Sequence, residues 1–147
     1  MKPFILICSL LLITISCKTD DTANQETINS EEMNEERVRP AGEGGTSAAY
    51  FRYANTLSIP DTLLSVESPV AGMAQIHESY ETDDGMMGMR PGGQVILMPE
   101  ESITFQQGGL HIMLMSLQKD LAEGDSVRIE LEFSQAGSLV KMLPVQS

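Results

Sequence analysis

Beyond residue 17 this chain of 147 residues has no cysteine; the two it carries are Cys8 and Cys17. Whatever folds from the remainder has neither disulfide nor thiol, which excludes a blue-copper electron carrier, because that site needs a cysteinate beside two histidines. An exported domain without staples is held by its core alone, and roughly 100 residues are enough for one. Positive charge is scarce as well. Nine Lys and Arg stand against 21 Asp and Glu, a formal net charge of -12. Nucleic acids and anionic lipid surfaces need clustered cations that this composition does not supply. Nucleotide and nucleophile motifs are missing too: Gly92-Gly93 reads as a turn with no phosphate-binding fingerprint after it, and Ser65, Ser68, Ser79 and Ser116 sit in no nucleophile motif. An enzyme is not expected. Histidine occurs only twice, at His77 and His111.

The start of the chain is a targeting segment. Lys2 gives a minimal positive region, Phe4 to Ile15 form an apolar stretch of twelve residues, and Ser16-Cys17 close it with a small residue before a cysteine. A membrane-spanning helix needs about 20 apolar residues, so this stretch is too short to be one. Residues 1–16 are read as a cleaved signal peptide. Its end resembles a bacterial lipobox, with Thr14 in place of the usual Leu, and Cys17 is the expected site of lipidation. Residues 17–45 read as a disordered acidic linker: eight acids between Asp20 and Glu43 are diluted only by Lys18, Arg37 and Arg39, and such a stretch buries too little to fold. Charge runs of this kind are usually solvated spacers rather than docking sites for basic partners or metals. Residues 46–147 are then the folded domain, held at the cell envelope, on the periplasmic side, with membrane contact through the lipid alone.

Within that domain, short apolar runs alternate with Gly, Pro, Asn and Asp. Strands are expected at 48–54, 63–67, 74–80, 94–97, 102–105, 110–117, 126–133 and 139–145, with no convincing long amphipathic helix, which points to an antiparallel β-sandwich of about eight strands. Alternation along 110–117 places His111, Met113 and Met115 on one face and Ile112 and Leu114 on the other. Residues 83–93 read as a Gly-rich, exposed loop carrying Met86, Met87 and Met89. Of the remaining methionines, Met73, Met98 and Met142 read as adaptable core filler. Met86, Met87 and Met115 read either as spare donors or as a hydrophobic docking patch.

His77, Met89, His111 and Met113 together offer two imidazoles and two thioethers. Thioether sulfur selects soft Cu(I) over divalent ions that favour nitrogen and oxygen, so Cu(I) is the expected ion. The acids Glu78, Glu81, Asp83 and Asp84 near His77 are weaker evidence for a zinc site, since thioethers are poor zinc ligands. Ten residues separate Glu78 from Met89, twenty-one separate Met89 from His111, and one separates His111 from Met113. This spacing resembles the H-(M)-x10-M-x21-H-x-M pattern of the periplasmic copper chaperones written PCuAC. Similarity extends to Asn55, Asp61-Thr62-Leu63, Pro69-Val70-Ala71, Gly109-Leu110-His111 and Leu121-Ala122-Glu123-Gly124-Asp125, and spans roughly residues 39 to 145.

The resemblance implies a cupredoxin-like Greek-key β-sandwich and a Cu(I) chaperone whose metal ligands are His77, Met89, His111 and Met113. It also implies a client, the copper A centre of a respiratory oxidase, with a thioredoxin-like copper chaperone as a further partner; a monomer is expected. One departure is Glu78, where the family often has Met; in a strand it points away from the His77 face. Two other readings stay open from sequence: a copper buffer or tolerance protein without a client, and a metal-free β-sandwich assembly module.

Overall fold

A computed structural model describes residues 36–147; the signal peptide, Cys17 and most of the acidic linker lie outside the described residues. The described part is all-β. Its ten strands are β1 (Arg37–Val38), β2 (Thr46–Ala54), β3 (Asp61–Glu67), β4 (Ala71–Glu81), β5 (Met87–Pro91), β6 (Val95–Leu97), β7 (Ser102–Phe105), β8 (Leu110–Leu117), β9 (Ser126–Phe133) and β10 (Gly137–Pro144). One sheet runs β1-β2-β8-β4-β5 with β7 also paired to β2, and the other runs β10-β9-β3-β6. All strand pairs within the two sheets are antiparallel. The result is the expected cupredoxin-like Greek-key sandwich.

The core lies where the inner faces of the two sheets meet. Ile112 and Leu114 of β8 pack with Val127, Ile129 and Leu131 of β9, and all five are fully buried. Removing the side chain of such a residue costs about 2–5 kcal/mol, through lost transfer free energy and the cavity left behind. Phe51 and Phe105 meet at 4.7 Å between ring centres, and Tyr53 stacks on Phe133 at 4.4 Å.

Two buried polar side chains fasten strand ends and turns. Asn55 donates from Nδ2 to the carbonyls of Ile59, Leu97 and Met98 and accepts from Leu57 N–H. Asp61 accepts from Thr62 N–H, Ser134 Oγ, Gln135 N–H and Ala136 N–H, tying β3 to the β9–β10 turn. Burial alone would push the Asp61 carboxyl up, but these hydrogen bonds outweigh it and hold the group below the usual carboxylate range.

Three expectations change. All eight expected strands occur, those at 102–105, 110–117 and 126–133 with the expected ends and the other five with shifted ones, but β1 and β5 were not anticipated. The folded unit also begins before residue 46. Val38 is fully buried and pairs with Ala49, and Ala41 bridges to Leu121, so residues 37–45 pack onto the sandwich despite their acidic surroundings. Finally, Met73, Met98 and Met142 are not core filler, being 52, 56 and 60% exposed. Met73 and Met142 stand at outward positions of their strands, so register decides their burial and apolar character does not.

Candidate metal site

The register of β4 against β8 builds the site. His77 lies directly opposite His111, Gln75 opposite Met113 and Met73 opposite Met115, while Ile76 opposes Ile112 and Ala74 opposes Leu114. Directly opposed residues share a face. The second set therefore enters the core and the first set stands on the outer face of the sheet. The two imidazoles are 6.2 Å apart between ring centres and inclined by 49°. With imidazole–metal bonds of about 2 Å, one ion between the rings would hold their centres roughly 6 Å apart.

Each ring has one nitrogen committed, and the partner identifies the other as the free donor. His111 Nδ1–H donates to the Gly109 carbonyl at 3.0 Å, because a carbonyl can only accept; the lone pair is thus on Nε2. His77 Nε2 lies 3.3 Å from Gln75 Oε1, again an acceptor, which leaves the lone pair on Nδ1. That Nδ1 is buried and has no hydrogen-bond partner. A buried lone pair without a partner, on a ring 6.2 Å from a second imidazole, fits a metal ligand. Burial foremost, and then the neighbouring His111, hold His77 below the usual histidine range, so it stays neutral and able to bind. Gln75 and Gly109 were not picked out from sequence as orienting groups. Gln75 was within reach of the period-two rule, since it lies two residues from His77; a backbone carbonyl gives no such signal.

Met89 arrives differently from expectation. The loop expected at 83–93 is a tight hairpin: the turn centres on Gly85, whose φ of 81° suits glycine, and β5 pairs back on β4. Met89 opposes Ser79 and Pro91 opposes His77, so Met89 sits on the outer face one step from His77. The reverse side of the hairpin is fastened by Arg90, which donates from Nε and Nη2 to Glu78 and lies over the Tyr80 ring. Gly88 lies beneath that ring, where a Cβ would fall 2.7 Å from Tyr80 Cζ and displace the exposed ring. Glu78 thus faces away from the imidazoles, as strand alternation requires, and holds the arm that presents Met89.

Met89, His111 and Met113 line one cavity of about 240 Å³ together with Ser79, Tyr50 and Arg39. His77 stands beside this cavity, against the His111 ring, rather than lining it. His111 is 5% exposed while Met89 is 62% exposed, so the site runs from a buried imidazole to an open thioether. Among the described residues, no three His, Cys, Asp or Glu side chains converge in a way that could hold a metal; the acids near His77 assemble no such group.

This fold is shared with PCuAC domains. The apo PCuAC domain of PmoF1 superposes with a TM-score of 0.63 at 24% identity, over 78% of this chain and 91% of that one. The Cu(I) form of DR1885 from Deinococcus radiodurans superposes with a TM-score of 0.56 at 23% identity, over 84% and 85% of the two chains. Residues 32–145 match the family described as "Putative lipoprotein LpqE-like", and the chain belongs to that LpqE-like family. It is similar to "Putative lipoprotein Lxx21020" of Leifsonia xyli subsp. xyli, at 28% identity over 145 residues, 95% of this chain and 86% of the other.

Proposed function

We propose that this chain is an exported, lipid-anchored copper carrier that binds one Cu(I) through His77, Met89, His111 and Met113 and delivers it to the copper A centre of a respiratory oxidase. The observation that carries the reading is that two imidazoles, each with one nitrogen freed by the hydrogen bond of the other, share one sheet face with two thioethers, three of the four lining one cavity and His77 standing beside it. Copper-bound relatives of the same fold, such as the Cu(I) form of DR1885, support the choice of ion, and the family's description supports an anchor at Cys17.

The donors are all neutral, so the bound ion keeps its positive charge. Soft thiolates compensate that charge, and an acceptor offering two of them draws Cu(I) away. Release begins at the exposed edge: Met89 detaches while His111 and Met113, on a central strand, retain the ion until the acceptor has bound it. A thioredoxin-like copper chaperone is the further partner in this reading.

The test is to mix the Cu(I)-loaded protein with a reduced copper A domain and follow the metal. Transfer, together with lowered oxidase copper occupancy on deletion under copper limitation, is the expected outcome. No transfer, with deletion causing only sensitivity to excess copper, replaces the carrier reading with that of a buffer.

A further inference from the structure

The outer face that carries the imidazoles continues beyond them. Along β8 the residues His111, Met113 and Met115 follow one another at alternate positions, about 7 Å per step. At the far step Met115 meets Met73, its direct cross-strand partner on β4. Among the described register pairs, this is the one in which two methionines face each other; Met113 faces Gln75 and Ala48, Met89 faces Ser79, and Met142 faces Arg128. Side chains directly opposed on one face have Cβ atoms roughly 5 Å apart, so both sulfurs can reach one ion. The backbone here is specialised as well. Leu114 and Leu117 both enter the core, which leaves Met115 and Ser116 to share the outward interval, and Ser116 takes a left-handed φ of 54°. Gly72 lies opposite, where a Cβ would come 3.2 Å from Ser116 Cβ. The kink keeps Met115 facing outward with Met73, a residue half exposed to water, where burial gives no reason for choosing methionine.

We infer that Met73 and Met115 form a second, weaker site for a soft monovalent ion, one step along the face from the four-donor site and sharing its approach through Met113. Two thioethers without imidazole bind Cu(I) or Ag(I) by softness alone and exchange it readily. The pair therefore serves as a waypoint, at which an ion waits before entering the main site or after leaving it. This inference rests on the soft-metal reading of that face, but it concerns different residues and is read out separately.

The experiment uses the full chain carrying methyl-¹³C methionine, titrated with Ag(I) as a redox-stable probe. The first equivalent is expected to move the methyl signals of Met89 and Met113. The second is expected to move Met73 and Met115, while Met98 and Met142, equally exposed but without a methionine partner, stay in place. In the M73L/M115L variant the second step disappears and the first is retained; in His111→Ala the first is lost and the Met73 and Met115 shifts persist. Silence of Met73 and Met115 through two equivalents overturns the second site, as does movement of Met98 and Met142 in the same step, which would mark general thioether affinity. Silence of Met89 and Met113 alone would count against the four-donor site and leave the second one standing.

Discussion

Strand β8 lies between β2 and β4, hydrogen-bonded on both sides, whereas β5 is the edge of the same sheet and is held by β4 alone. Both carry proposed donors, yet their settings differ in almost every respect. His111 is buried, its ring direction set by a backbone carbonyl, and its neighbours Ile112 and Leu114 anchor the strand in the core. Met89 is largely exposed and is placed by a surface ion pair and a ring contact on the back of the hairpin. Edge elements with few buried contacts open at lower free-energy cost than central strands. Under the proposed carrier function that division would let one half of the site retain the ion while the other half yields it.

The largest effect is expected at the central strand. His111→Ala should weaken Cu(I) binding by more than about 100-fold, close to 3 kcal/mol, in a competition titration with a chromogenic Cu(I) chelator. An effect of similar size but different kind is expected from Asp61→Ala, which strips four donors of their acceptor. It should lower unfolding stability by about 2 kcal/mol and leave Cu(I) affinity unchanged, separating the scaffold from the site. The pH dependence follows from the depressed Asp61 carboxyl. Its stabilisation is complete above the unfolded value of about 3.9 and is lost as pH falls through the lower folded value; denaturant melts of wild type and variant should therefore converge in acid.

Met89→Ala should weaken binding about tenfold, roughly 1.4 kcal/mol, and accelerate release to an acceptor, with no change in melting temperature. If Met89→Ala matched His111→Ala in its effect, the contrast between the two strands would fail. The smallest effect belongs to the fastening on the back of the hairpin. Exposed ion pairs contribute only about 0.2–1 kcal/mol, so Arg90→Ala should alter affinity no more than a few-fold, measured in the same titration.

That contrast also explains what the sequence disclosed. The β8 strand was legible to the residue because its alternation is regular, apolar side chains at 112 and 114 reporting one face and His111 and Met113 the other. The β5 strand was not legible. Residues 83–93 are rich in glycine and read as a loop, and the strand character of Met87–Pro91 comes from pairing with β4, a tertiary fact that local propensity does not carry. β1 was missed for a similar reason, since a single buried valine, Val38, is no pattern in an acidic stretch. The exposed positions of Met73 and Met142 show the converse, because apolar character suggested the core and register placed them outside. The four candidate donors were proposed from residue type together with a spacing that resembles a family pattern, but the tautomers that free the two imidazole lone pairs depend on Gln75 and the Gly109 carbonyl, which only the fold brings into place.

The central claim is a Cu(I) shell of two nitrogens and two sulfurs drawn from β4, β5 and β8. X-ray absorption at the copper edge of the Cu(I)-loaded protein, repeated on Met89→Ala, reads that shell directly. The account predicts two sulfur and two nitrogen neighbours in the wild type and one sulfur fewer in the variant. A shell without sulfur, or one unchanged by Met89→Ala, would contradict it.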